Sequence, residues 1–460
     1  MRIFAGKIYR MKKIEKAPNW KDHNILNEGL KLFINNEYKE IIDNINDKYL
    51  YWDKVKYIKT PDNIDPKLLW SAVKFGRTIH SKEIAFEDYT FYYSLTNHIQ
   101  KELHHFDLNI GGQLQSKSII PEDEKKRYLI SSIMEEAIAS SQIEGAVTTR
   151  EKAKDMLRKN KKPRTKSEQM ILNNFITIKH IVENKNETLT KETLFEIHKL
   201  ITHQTLENQE DEGKYRTHNK INVVDVVDGE IVHTPPDYKN IEGLMNSLFD
   251  FFNGINNEHF IHPIIKACII HFMLGYIHPF VDGNGRTARA LFYWYLLKNG
   301  YWLTEYLSIS RLIAKSKSQY ALAYLYSEID ENDITYFINY KIKMMKLAFE
   351  SLREYIQRKI EEKKQYIHFQ KIKGINERQA LILKWTYEEP DILLTVKEIE
   401  NRFRISNQTA RTDLYELKDK GYLDIIDLNK KTKAFCQSDR FEEIIKKELP
   451  TTMAHSAYRN

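Results

Sequence analysis

The chain has 460 residues, of which only 16 are glycine and 11 proline, about half the usual shares of roughly 7% and 5%. Collagen-like, linker-like and Pro-rich disordered classes are thereby excluded. With 42% hydrophobic and 29% charged residues, a mostly α-helical soluble chain of about two to four domains is expected. The 71 basic and 64 acidic residues leave a net charge of +7, which permits a nucleotide or nucleic-acid partner but does not require one.

Residues 1–117 read as an N-terminal region of amphipathic helices with polar joints, for instance 27–46 and 70–80. The first residues carry no apolar run of signal-peptide type, so none is expected. One long helical pattern follows over 121–144. Pro121 suits its first turn, Glu122, Asp123 and Glu124 complement the positive end of its dipole, and Gly145 suits its C-terminal stop. The basic stretch 150–166 reads as a solvated joint broken by Pro163. Helical patterns resume over 167–182 and 191–202. An Asp228-Gly229 pair between the runs 221–227 and 230–233 predicts a β-hairpin, ended by Pro235-Pro236.

Helices are expected from there to about residue 365. The one opening near Pro263 is apolar almost all round, which places it at the centre of its domain. Its run 267–277 is too short to span a bilayer. Cys268 lies inside it, far from Cys436, so no disulfide framework is expected and the cytoplasm is the expected compartment. From about residue 375 the pattern changes to helix, helix-turn-helix and hairpin, with a capping box at Thr395 and Glu398. That layout is the one of a winged helix.

The sharpest feature is the segment His278-Pro279-Phe280-Val281-Asp282-Gly283-Asn284-Gly285-Arg286-Thr287-Ala288-Arg289, between two strong helical patterns. The helix opening at Gly285 offers free N–H groups and a positive dipole end. Arg286 and Arg289 stand there where acids are usual, three apart and so on one face. Cations at that end call for an anion. Gly283 and Gly285 would let a ligand approach the backbone. Asp282 is a suitable Mg²⁺ ligand beside a phosphate chain, and His278 can accept a proton near neutral pH. No Gly-Lys-Ser/Thr follows, so this is not a Walker loop.

This segment resembles the signature of the Fic family, His-Pro-Phe-x-Asp/Glu-Gly-Asn-Gly-Arg-x-x-Arg, at every fixed position. Gly213-Lys214-Tyr215-Arg216, the stretch 232–236 and the apolar helix extend the resemblance over roughly residues 60–345. It implies a helical core with a β-hairpin flap and transfer of AMP from ATP to a Ser, Thr or Tyr hydroxyl of target proteins and of the chain itself. His278 would be the base and Asp282 would hold Mg²⁺. Gly283, Asn284, Gly285 and Arg286 would hold phosphate, and Arg289 the γ-phosphate. Val232, His233, Thr234 and Pro235 would form the flap that aligns a target strand.

Ser140-Ser141-Gln142-Ile143-Glu144-Gly145 resembles the family's inhibitory motif, Ser/Thr-x-x-x-Glu-Gly/Asn, placed upstream of the core. The resemblance implies a Glu144–Arg289 salt bridge that denies Arg289 to ATP. Some family members also remove AMP with this glutamate, and the residues here do not decide between the two. The implied organisation is 1–117, N-terminal helical region; 118–190, inhibitory helix (about 121–146) and connecting helix; 191–350, catalytic core; 370–440, winged helix; and 441–460, tail.

The rival reading is a DNA-binding regulator with a nucleotide-sensing core. It would dock through Asn407, Gln408, Thr409, Arg411, Lys430, Lys431 and Lys433. Nine Lys/Arg against seven Asp/Glu over 395–435 is only a slight positive excess, and protein contact or dimerisation stays open. Other members of the family transfer UMP, phosphate or phosphocholine; the transferred group, the target protein and its acceptor residue, the oligomeric state and the winged-helix partner are not readable from the chain.

Overall fold

The computed structural model describes residues 14–111, 125–224, 231–255, 259–427 and 432–448. The chain divides into two units, Met1–Leu352 and Arg353–Asn460. It is mostly α-helical, with only short antiparallel sheets among the described residues.

In the first unit, the stretch 27–46 becomes two helices, His23–Ile34 and Asn36–Lys48, because Asn35 ends one and caps the other through Glu37 N. The N-terminal region is not wholly helical. Ser81–Phe86 and Tyr89–Ser94 pair as a hairpin, from Ser81↔Ser94 to Phe86↔Tyr89. Its turn is Glu87-Asp88, with Glu87 at φ 49°, and lacks the Asn-Gly or Asp-Gly pair that announces a tight turn. Phe86 and Phe91 are buried and meet edge to face, which offsets the turn's strain.

The basic stretch is not a loose joint. Arg150–Arg158 is a helix capped by Thr149, with Ala153, Met156 and Leu157 buried. Its cations answer carboxylates on neighbouring helices: Arg150 and Lys154 pair with Glu135, and Lys152 with Glu168. A charge run can be solvated on one face while every third or fourth position packs.

Lys125–Ile143 forms the helix predicted over 121–144; Pro121 and the acids after it lie outside the described residues. Gly145, at φ 93°, stops it. Gly145 N–H donates to Gln142 O at 3.3 Å and Ala146 N–H to Ser141 O at 3.0 Å, a Schellman ending. The helix therefore stops with Glu144 at its C-cap.

The helix Pro263–Ile277 buries nearly every residue, Ile264 through Leu274 among them. Each fully buried Leu, Ile or Phe stabilises the fold by about 1.5–3 kcal/mol, so this helix is a rigid platform for the loop that leaves its C-terminus. The signature helix, Asn284–Lys298, packs beside it. The predicted hairpin is described only in part. Val223–Val224 pairs with Ile231–His233 through a bulge, and the Asp228-Gly229 turn lies outside the described residues.

In the second unit, helices Glu377–Glu388, Val396–Phe403 and Asn407–Asp419 surround a three-stranded sheet ordered Leu394–Thr395, Lys433–Gln437, Leu423–Asp427. Lys430 and Lys431 lie outside the described residues. Phe441–Glu448 is a helix rather than loose tail, because Phe441 and Ile445 are buried in this unit's core.

Candidate functional site

His278 ends the central helix in the left-handed region, at φ 49°. A bulky residue there is strained, and such strain concentrates at functional sites. Its ring Nδ1 lies 3.1 Å from Gly275 O. A carbonyl only accepts, so Nδ1 carries the proton and Nε2 is in the accepting form. Burial pushes the His278 pKa down to about 4, which keeps the ring neutral at pH 7.

The loop after it is braced from within. The Asn284 side chain bonds both backbone groups of Phe280, accepting from N–H at 2.9 Å and donating to O at 2.8 Å. Asp282 Oδ1 accepts from Gly283 N–H at 2.6 Å and lies 3.7 Å from Arg286 Nη2, with the carboxylate partly exposed. Among the described residues no group of three or more His, Cys, Asp and Glu could cage a metal. One accessible carboxylate beside an anion site suits Mg²⁺, which is commonly held by one or two carboxylates plus substrate phosphates.

Arg286 and Arg289 are both buried. Arg286 Nη1 donates to Ile201 O at 3.1 Å, and burial lowers its pKa. Arg289 Nε donates to Ser140 Oγ at 2.8 Å; its Nη2 donates to Ser140 O at 3.0 Å and to Glu144 Oε1 at 2.9 Å. Burial opposes the charged Arg289, but the Glu144 charge and hydrogen bond, with Tyr320 and Glu136, together outweigh it and raise the pKa. Arg286 Nε and Arg289 Nη1 are buried without a hydrogen-bond partner among the described residues. Two unsatisfied guanidinium donors at a helix N-terminus are what an anion would complete.

Glu144 stands at the negative end of its own helix, an unfavourable place for an acid. The fold resolves this by laying it over the positive end of another. A Cβ on Gly285 would fall 2.2 Å from Glu144 Oε1, so the space above Gly285 holds this carboxylate. Gly283 has a different reason from the expected ligand approach. Its φ is 86°, and a Cβ there would meet Thr202 at 2.8 Å and His198 at 3.2 Å.

A cleft opens between the loop and the flap. His278, Glu144 and Gly285 line one side, Val232 and His233 another, Tyr320 and Tyr324 a third. His233 Nδ1 lies 2.8 Å from Glu328 Oε2, and Nε2 lies 2.8 Å from Tyr276 O. Burial works against the imidazolium, but the Glu328 hydrogen bond and charge outweigh it and raise the pKa. Thr234 is exposed and Pro235 buried; neither lines this cleft, though Thr234 lines a second hollow on the flap.

Two supports escaped the sequence reading in whole or part. His198 Nε2–H donates to Asp282 O at 2.9 Å, while Nδ1 accepts from Gly213 N–H at 2.9 Å. The ring stacks on Phe280 at 3.7 Å, and burial pushes its pKa down to about 4. A lone histidine inside a helix gives no local signal of this role. Arg216 belongs to the quoted Gly-Lys-Tyr-Arg run, but its work was hidden. Its Nε donates to His278 O at 2.9 Å and its Nη2 to Pro236 O at 2.5 Å, joining the loop to the foot of the flap.

Residues 188–296 match the family model described as "Fic/DOC family". The protein adenylyltransferase Fic of Nematostella vectensis is 35% identical over 117 residues, 25% of this chain and 25% of that protein. Its counterpart from Drosophila virilis is 42% identical over 71 residues, 15% of this chain and 14% of that protein. The chain thus matches a quarter or less of the length of these relatives. A Fic family protein from Desulfovibrio desulfuricans G20 superposes with a TM-score of 0.47 at 18% identity, over 74% of this chain and 94% of that one. A helical Fic domain, with a β-hairpin inside it, therefore spans about residues 188–296. Both curated relatives are named for adenylyl transfer. Among the described residues no helix is long and apolar enough to cross a membrane.

Proposed function

We propose that this chain is a protein adenylyltransferase, moving AMP from ATP to a Ser, Thr or Tyr hydroxyl of a target protein and of itself, and held in check by Glu144. The carrying observation is the buried Glu144–Arg289 pair, 2.9 Å long, seated over the helix N-terminus that the phosphates need. His278 Nε2 takes the proton of the incoming hydroxyl. The hydroxyl oxygen attacks the α-phosphorus as the bond to pyrophosphate breaks, and pyrophosphate leaves in line. Backbone N–H groups at Gly283, Asn284 and Gly285, with Arg286, receive the phosphate charge, and Arg289 binds the γ-phosphate once Glu144 withdraws. Asp282 would hold Mg²⁺, which supplies charge neutralisation on the phosphates. Phosphoryl-type transfer rests mainly on positioning and such neutralisation. The Ile231–His233 strand would align the target by strand addition.

Radiolabelled ATP tests the reading. Glu144→Gly should raise AMP transfer, and mass spectrometry after incubation with lysate should find an AMP adduct on a hydroxyl side chain. Another added mass would refute AMP as the transferred group, and no gain over the parent would refute the inhibitory role. The second unit is read as a winged helix: Asn407, Gln408 and Arg411 are exposed on its third helix, and a salt-dependent gel shift with duplex DNA separates nucleic-acid docking from protein contact.

A further inference from the structure

Glu136 lies on the inhibitory helix Lys125–Ile143, eight residues before Glu144, and is buried. Its carboxylate accepts from one backbone N–H and from hydroxyls. Tyr293 Oη donates at 2.8 Å and Ser310 N–H at 2.9 Å to Oε2, and Ser310 Oγ donates to Oε1. No Lys or Arg pairs with it among the described residues.

The spacing is as telling as the bonds. Glu136, Ser140 and Glu144 are four apart and share one helix face. Their counterparts on the signature helix step back by four: Tyr293 faces Glu136, Arg289 faces Ser140, and Gly285 faces Glu144. The two helices form a polar ladder of three rungs. Two of its rungs lie at the nucleotide site; the Glu136–Tyr293 rung lies outside it and does not touch the cleft. Next to it Glu135 points elsewhere, to Arg150 and Lys154. The helix is thus tethered on two of its sides by adjacent glutamates.

We propose that Glu136 is the positioning residue of the inhibitory helix: its carboxylate fixes the helix's register on Tyr293 and Ser310, and thereby how firmly Glu144 holds Arg289. This rests on the inhibitory reading of Glu144. An ionised carboxylate accepts from all the donors around it. A side-chain amide keeps an oxygen for Ser310 N–H, but it loses the charge that strengthens every bond to the carboxylate. Tyr293→Phe removes the same rung from the other helix without adding a polar group.

The test uses the full chain as parent, Glu136→Gln, Tyr293→Phe, Glu144→Gly and the double variant Glu136→Gln/Glu144→Gly. AMP transfer from radiolabelled ATP should rise about tenfold in Glu136→Gln and to a similar extent in Tyr293→Phe. In the Glu144→Gly background, Glu136→Gln should change transfer by less than about twofold, because the contact it governs is gone. Amide hydrogen exchange of the 125–143 helix should quicken in both single variants, independently of any activity. If Glu144→Gly activates but Glu136→Gln does not, the positioning role is refuted and the inhibitory reading stands. If Glu136→Gln lowers transfer equally in both backgrounds, Glu136 is merely structural and the proposal is overturned. If Glu144→Gly fails to activate, both fall. Unchanged exchange also overturns it.

Discussion

The loop 278–289 and the strand Ile231–His233 line one cleft, but they are built to different standards. In the loop, Asn284 braces Phe280, His198 holds Asp282 O, Arg216 holds His278 O, and both arginines are buried. Among the described residues, the flap strand has two paired positions, a bulge, an exposed Ile231, and one side-chain anchor, His233 on Glu328 and Tyr276. The difference fits the two tasks proposed for them. Charge that develops during phosphoryl transfer needs donors already in place, whereas an edge strand that pairs with varied targets works through its backbone.

The comparison breaks most sharply at His278. His278→Ala is expected to lower AMP transfer about 10²–10⁴-fold, while thermal shift with ATP stays near that of the parent. Transfer equal to the parent's would remove the base from the loop. Next in size is Glu144→Gly without ligand. It leaves Arg289 buried without its counter-charge, at an expected cost of about 3–5 kcal/mol, read from the denaturation midpoint. ATP should then stabilise the variant more than the parent. A midpoint no lower than the parent's would show that Ser140 alone satisfies Arg289.

The two sides should also answer pH with opposite signs. His198 and His278 have folded pKa values pushed down to about 4, below the unfolded value of about 6.5. The unfolded chain binds more protons between these values, so stability falls as pH drops from about 6.5 through about 4. Melting scans across that window should show it, and His198→Gln should flatten the slope. His233 is raised. Its contribution is complete below about pH 6.5 and is lost as pH rises through its folded value. The target KM should accordingly rise in alkali in the parent but not in His233→Gln. The smallest effect is expected at exposed Thr234, where Thr234→Ala should change stability by less than about 0.5 kcal/mol; a larger loss would mean that the flap is as tightly built as the loop.

Much of this was legible locally. The helix at 191–202 follows from periodicity, that at 263–277 from an apolar run opened by Pro263, that at 284–298 from its stop at Gly300, and the loop's chemistry from residues adjacent in the chain. The hairpin 81–94 was not legible, because Glu87-Asp88 is a poor turn signal and burial of Phe86 and Phe91 decides it. Nor was the 150–158 helix, whose cations find Glu135 and Glu168 only after folding.

By itself, then, the sequence determined a helical scaffold and a twelve-residue segment with a base, a carboxylate, two arginines and glycines at an anion-binding helix end. These depend on near neighbours and backbone geometry. Tertiary structure decided what occupies that end and what braces it: Glu144 over Gly285, His198 under Asp282, Arg216 behind His278, and Glu136 on Tyr293. Each joins residues 62 to 157 positions apart, and such contacts exist only once packing has offset their ordering entropy.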